Sequence, residues 1–269
     1  MIRRATVFAL SAVLAGCAAA TIHYTDPAGP RYGGGTFTDS VDHGTLKVVS
    51  FNVRYAIHVD SAIRLLRETA ALRGMDVLLL QEMDEPGTKV VAQALGLEYV
   101  YYPATVHPVT HRDFGNAILS RYPIEGDHKV VLPHLARFRN TPRVAVEATI
   151  DVGTQRIHVY SVHIATMVNN GPADRRDQLA AVLSDADSAG TVIIGGDFNS
   201  STVPQIALAR GYTWPTHHIG RTISLWSVDH VLLKGVSVAS DSAMGTVRNR
   251  RGASDHRPVW IRVVLPDRG

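Results

Sequence analysis

Between Thr45 and Leu265 the chain is divided into about ten short apolar runs closed by turn residues, and only three or four segments carry helical spacing. "TLKVVSFNV", "MDVLLLQE", "EYVYY", "NAILS", "HKVVLP", "RVAVEATID", "RIHVYSVHI", "TVIIGG", "SVDHVLLKG" and "HRPVWIRVVL" have the length and residue types of strands. Helical spacing is confined to 60–74, 88–96, 172–190 and 203–211. Strands follow strands directly as well as alternating with helices, which argues against a simple doubly wound parallel sheet. The pattern fits an α/β fold of two mixed β-sheets packed face to face with helices outside. With 269 residues, 45% of them hydrophobic, one large domain can fill such a core.

The N-terminus does not share this pattern. "MIRRATVFALSAVLAGC" starts basic at Arg3 and Arg4, runs apolar from Ala5 to Ala15 and ends Gly-Cys. The run is too short to span a bilayer core of about 30 Å and has the layout of an export signal. "LAGC" resembles the bacterial lipobox, and Cys17, the chain's one cysteine, is the residue that would be lipidated. The expected organisation is a lipoprotein signal peptide at 1–16, the lipidated Cys17 and a flexible Gly- and Pro-rich tether through 44, and a folded domain over 45–269. A short strand is expected near Thr36 and Phe37. The anchor implies export and attachment to a bacterial membrane. Ala18, which is not the Asp of many inner-membrane lipoproteins, favours the outer membrane. A single cysteine excludes an intrachain disulfide. The chain has 27 basic and 24 acidic residues; losing Arg3 and Arg4 leaves 25 against 24, so any basic footprint must be local. A monomer is expected.

Polar residues collect at strand ends. Asn52 ends "VVSFN", Gln81 and Glu82 end "LLLQE", His163 ends "YSVH", and Asp197 and Asn199 follow "IIGG". Asp229 opens "VDHVLL", and Asp255 and His256 precede the last strand. Carboxylates with an amide oxygen form a hard-oxygen site suited to Mg²⁺, Mn²⁺ or Ca²⁺. A His with a carboxylate partner exchanges protons near neutral pH. Together these fit metal-assisted hydrolysis of a phosphoester. No G-x-S-x-G, H-E-x-x-H, C-x-x-C or P-loop competes. Taken singly, each residue has an ordinary reading: Asn52 a turn former, Glu82 a solvated carboxylate, Asp229 a strand-edge carboxylate. His158 and His230 read as structural, and His58, His107, His111, His217 and His218 as surface or rim residues.

The ordered set "SFNV", "LLLQE", "GNAILS", "SVH", "GGDFNS", "VDHVLL" and "SDHRPVW" resembles the endonuclease/exonuclease/phosphatase superfamily over residues 45 to 265. The resemblance implies a deoxyribonuclease I-like four-layer α/β sandwich and Mg²⁺ as cofactor, with Mn²⁺ or Ca²⁺ as substitutes. It implies Glu82 as principal metal ligand with Asn52 beside it, and Asp255 helping to bind a metal. Asp197 would position or activate the attacking water, and Asn199 would hold that water or the phosphate. His256 would transfer a proton, oriented by Asp229, and His163 would stabilise the phosphoryl oxygens. Arg143 stands where relatives carry a phosphate-reaching Arg, its ordinary reading being a surface ion pair. Asn116 either shapes the site or terminates a loop. Tyr101 and Tyr102 lie near a phosphate-contacting Tyr of relatives. Gly195 and Gly196 are expected to let phosphate approach the backbone.

The resemblance leaves the substrate open. His163 matches the deoxyribonuclease and lipid-phosphatase branches and disfavours abasic-site repair. Arg248, Arg250 and Arg251 suit a nucleic-acid backbone or an anionic headgroup. A nuclease-type phosphodiesterase is the first expectation. A phospholipid or sphingomyelin phosphodiesterase follows, because the anchor holds the enzyme at a bilayer, although 165–176 is short and mostly polar and offers no long hairpin like those some sphingomyelinases insert into membranes, and then a phosphomonoesterase. From another class stands an inert lipoprotein that only binds a partner; the intact acid, amide and His set argues against it.

Overall fold

A computed structural model describes residues 22–153 and 155–266. The signal peptide and Cys17 lie outside the described residues. The strands are β1 (Tyr32–Gly34), β2 (Thr45–Asn52), β3 (Val77–Met83), β4 (Glu98–Val106), β5 (Asp113–Ser120), β6 (Ile124–Val131), β7 (Val144–Asp151), β8 (Arg156–His163), β9 (Val192–Asp197), β10 (Asp229–Lys234), β11 (Ser237–Val238), β12 (Met244–Thr246) and β13 (Val259–Val264). The α-helices are α1 (Val59–Glu68), α2 (Glu85–Leu95) and α3 (Pro172–Asp185). The segment 203–211, expected to be helical, is a 3₁₀ helix over Val203–Arg210, and a second one spans Pro215–His218.

The strands form two mixed sheets. One runs β1-β4-β5-β3-β2-β13-β11, with β12 also on β13, and the other runs β10-β9-β8-β7-β6. The pairs β2/β3 and β8/β9 are parallel and the other ladders antiparallel. Period-two alternation sorts the side chains into layers. Leu46, Val48, Val77 and Leu79 of the first sheet meet Val146, Val159, Ile193 and Val231 of the second. The opposite face of the first sheet, with Val49, Phe51, Leu78 and Leu80, packs on Leu65 and Leu66 of α1 and Val91 of α2. The outer face of the second, with Tyr160, Val162, Val192 and Ile194, packs on Leu179, Val182 and Leu183 of α3. The result is the four-layer sandwich, helices outside two facing sheets.

The described part of the expected tether, 22–44, is not free. β1 pairs with β4, and His23 forms a bridge with Thr105. Tyr24 Oη donates to Asp113 at 2.9 Å, and Arg31 binds the Asp127 carboxylate through two nitrogens at 2.6 Å. Buried Lys129 donates to the carbonyls of Tyr24 and Gly29. The Gly-Pro composition that suggested a linker instead lets the segment follow the sheet edge, and its strand falls at 32–34, not near Thr36.

Candidate active site

Strand register explains why the polar residues meet. In the second sheet His163 stands opposite Asp197, and Asp197 opposite Asp229, so three adjacent strands contribute one row. In the first sheet Asn52 stands opposite Gln81, and Gln81 opposite Asn116. All six share the parity of the inter-sheet core residues, so both rows face each other at one edge of the sandwich. There the apolar core gives way to polar side chains.

Glu82 does not belong to that parity. Alternation assigns it to the helix-facing side with Leu78 and Leu80. A β-bulge against β5 turns it inward: Gln81 pairs with Asn116 and Met83 with Gly115, leaving Glu82 unpaired. Its φ is 59°, a left-handed conformation that costs a non-glycine residue about 1–3 kcal/mol. The strain places a carboxylate in the cleft. The loop after β2 is held similarly: Arg54, Tyr55 and Ala56 have φ of 45°, 55° and 50°. The Arg54 amide donates to Asn52 Oδ1 at 2.9 Å and the Tyr55 amide to Glu82 Oε2 at 3.2 Å.

Asn52 joins the two sheets. Its Nδ2 lies 3.1 Å from Glu82 Oε1 and 3.1 Å from Asp197 Oδ2. Asp197 Oδ1 accepts the Asn199 amide at 2.8 Å, while Asn199 Nδ2 donates to the Ile164 carbonyl. His256 Nδ1 lies 2.9 Å from Asp229 Oδ2, and its Nε2 faces Asp197 Oδ2 at 3.7 Å. His163 Nε2 is 3.6 Å from the same oxygen, and Arg143 Nη1 lies 3.1 Å from His163 Nδ1.

Burial governs the electrostatics. Asp197 and Glu82 are both raised above the usual carboxylate range, chiefly by desolvation. Burial also draws His256 down, but Asp229 and Asp197 outweigh it and hold the imidazole up, to about 10. His163 is pushed well down by burial and then by Arg143, so it is neutral. Three carboxylates, Glu82, Asp197 and Asp229, thus face two cations, His256 and Arg143. That deficit suits a hard cation. Asp197, Asp229 and His256 have ligand atoms within 4.8 Å of one another. An imidazolium has no lone pair to give, however, so this trio reads as a proton-transfer group. Glu82 and the Asn52 amide oxygen are the better-suited metal donors.

Several expectations change. Asp255 sits at the mouth, its side chain 43% exposed and 3.6 Å from Arg54, outside the buried cluster. Asn116 uses its amide to tie the sheets, donating to the carbonyls of Val144 and Ser161, so it positions β5 against β7 and β8 and does not reach into the cleft. Neither tyrosine faces the site: Tyr101 donates to the Met83 carbonyl among the helix-side core, and Tyr102 to Asp127. Tyr55 takes the place at the cleft, its ring 4.5 Å from His107 and 5.9 Å from Phe114. No sequence signal marks it beyond its place three residues after Asn52. Arg143 makes no surface ion pair among the described residues; its guanidinium lies over Phe114 in a cavity of about 400 Å³ shared with Glu82 and Tyr55. Gly195 and Gly196 serve packing, not phosphate approach: a Cβ on Gly195 would lie 2.6 Å from Leu79 Cδ1, and one on Gly196 2.0 Å from the Val162 carbonyl oxygen. His230 is structural as expected, buried between Phe198 and Trp214.

Comparisons with known proteins agree with this fold. The sequence model of the Endonuclease/Exonuclease/phosphatase family matches residues 49–256. The uncharacterized protein YbhP of Escherichia coli K12 is 23% identical over 261 residues, covering 84% of this chain and 99% of that protein. An endonuclease/exonuclease/phosphatase structure from Beutenbergia cavernae superposes with a TM-score of 0.64 at 20% identity, over 83% of this chain and 72% of that one. D. rerio TDP2 complexed with a single strand DNA product gives 0.64 at 17% identity, over 81% and 98%.

Proposed function

The chain belongs to the endonuclease/exonuclease/phosphatase family, and on that premise we propose that it is a divalent-metal-dependent phosphodiesterase that hydrolyses its substrate by direct attack of water. The observation that carries this reading is the buried Asn52 amide bridging Glu82 to Asp197, with His256 and Asp229 on the far side of Asp197. One group of residues suits a metal, the other proton transfer, and they meet at one carboxylate.

In this reading Asp197 receives the proton of the attacking water. Burial raises its basicity, and the Asn199 amide fixes Oδ1 so that Oδ2 faces the cleft. His256 carries a proton on Nε2, held in orientation by Asp229 at Nδ1, and donates it toward the phosphoryl or leaving oxygen. Arg143 and His163 stand where negative charge would develop on the phosphoryl group. Mg²⁺, Mn²⁺ or Ca²⁺ held by Glu82 and Asn52 would supply Lewis-acid polarisation of a phosphoryl oxygen.

A diester is favoured over a monoester because the centre is flanked on both sides. The cavity of Tyr55, Phe114 and Arg143 lies on one, and on the other Arg257, next in sequence to His256, lines a second cavity with Arg221 and Arg248. Similarity to TDP2 bound to a DNA product supports the nuclease-type reading. Two of the three arginines expected to serve it are engaged within the chain, Arg250 with the Asp255 carbonyl and Arg251 with Glu68. The lipid reading gains its own observation from the loops around the cleft. Export, lipidation at Cys17, the outer-membrane location and the monomeric state are proposed with it.

Calorimetric titration of Mg²⁺ into the wild type and Glu82→Gln tests the metal assignment. Loss of a ligand is expected to weaken binding by at least the roughly 10–100-fold typical of losing a ligand's outer partner. Equal affinities would remove Glu82 from the metal site. Mg²⁺ binding without any turnover would return the chain to the inert binding module.

A further inference from the structure

The loops that ring the cleft form a surface of their own. Topology sends them to one edge: 107–112 joins β4 to β5, 133–142 joins β6 to β7, 165–171 follows β8, and 219–228 precedes β10. They carry side chains that a water-facing rim seldom combines. Val109 is 67% exposed, Phe138 68%, Met167 61%, Val168 75%, Leu225 68% and Trp226 57%. Val109 and Phe138 line the same cavity as Glu82 and Arg143. The Arg137 amide donates to the Asn169 carbonyl, and Asn170 Nδ2 to the Leu135 carbonyl, so two of the loops are fastened into one surface.

The charge carried by those four loops is basic, while Asp255 stands exposed at the same mouth beside Arg54. The chain has 24 acidic residues, yet none falls in 107–112, 133–142, 165–171 or 219–228. Arg137 and Arg139 are exposed between the apolar residues and form no ion pair among the described residues. Exposed aliphatic and aromatic side chains interleaved with unpaired cations complement an anionic bilayer surface, where the apolar groups enter the headgroup region and the guanidinium groups meet phosphate. A nucleic acid would use Trp226 and Phe138 by stacking, but it offers nothing to Val109, Met167, Val168 and Leu225. No helix among the described residues is long and apolar enough to cross a membrane.

We propose that the mouth of the active site docks on a bilayer bearing anionic phospholipids, and that the substrate is a phosphodiester presented at that surface. The substrate part rests on the hydrolase reading above; the docking part rests on the rim.

The test must be blind to the N-terminal segment, which could bring the full chain to vesicles by itself. Trp226 provides the readout, because it is the most exposed of the chain's three tryptophans, Trp214 and Trp260 being half-buried. The full-length protein is mixed with vesicles of phosphatidylcholine alone, or of phosphatidylcholine with phosphatidylglycerol, both with brominated chains that quench tryptophan on contact. Quenching is expected with the anionic vesicles and is expected to vanish in Trp226→Phe. Arg137→Gln with Arg139→Gln is expected to weaken the vesicle partition about fivefold per charge. Vesicle-bound protein whose quenching is indifferent to Trp226 would overturn the docking face. Trp226 quenched by a single-stranded oligonucleotide but not by the vesicles would overturn it in favour of nucleic acid. Turnover of a soluble diester by the same preparation separates the two readings: its absence, with quenching intact, would overturn the substrate assignment and leave the docking face standing.

Discussion

At the scale of single residues the proposed chemistry turns on Asp197, which both groups of the site share. It touches the Asn52 amide on one side and faces His163 and His256 on the other. His256 is the group whose charge the surroundings change most usefully. Burial disfavours its imidazolium, but Asp229 and Asp197 more than restore it, so the proton is retained to about pH 10. If protonated His256 is the acid, activity is lost as pH rises through that value. Asp229→Asn removes the stronger support, so the folded-state pKa of His256 falls and the alkaline limb of the kcat profile moves to lower pH. At neutral pH a fall in kcat of about 10²–10⁴ is expected, the range of a positioned proton-transfer group. A pH–rate profile measures both, and an alkaline limb that stays in place would show that His256 is not the acid that sets it.

At the scale of elements, the rows His163–Asp197–Asp229 and Asn52–Gln81–Asn116 were legible because strand register and period-two alternation follow from local sequence. Glu82 was not legible that way. Alternation sends it to the helix side, and only the bulge, a property of the β3/β5 pairing, brings it into the cleft. The resemblance to a family supplied what the pattern could not. The misreading of Gly195 and Gly196 has a similar cause: the neighbours that need them glycine, Leu79 and Val162, belong to other strands. Gly196 has φ of 154°, and Cβ there would meet the Val162 carbonyl at 2.0 Å. Gly196→Ala is therefore expected to destabilise the protein by about 2–4 kcal/mol, among the larger single-site effects. Gly126→Ala, where a Cβ meets nothing within 4 Å, should stay within about 1 kcal/mol of the wild type. Chemical denaturation distinguishes them, and equal stabilities would mean that β8 and β9 yield at no cost.

At the scale of the whole molecule, two sheets that bury their inner faces against each other leave an edge where the core ends, and the site is built there. The sandwich was legible in the succession of strands, and its core residues in their alternation. The docked segment 22–44 was not, because its partners Asp113, Asp127 and Lys129 lie about a hundred positions away and its composition matches that of a linker. The open question over Tyr101 and Tyr102 could not be closed from sequence for the same reason: which face each presents is fixed by β4, but what it meets there is fixed by distant strands. The central claim is that one edge of this sandwich joins a metal-binding carboxylate to an Asp–His proton-transfer pair. It is tested most directly by the rate of hydrolysis of bis(p-nitrophenyl) phosphate by the full-length protein and its His256→Ala variant, with EDTA and after restoring Mg²⁺. Wild-type turnover that disappears with EDTA, returns with Mg²⁺ and falls about 10²–10⁴-fold in the variant is the expected result. Turnover indifferent to EDTA, or a variant as fast as the wild type, would contradict it.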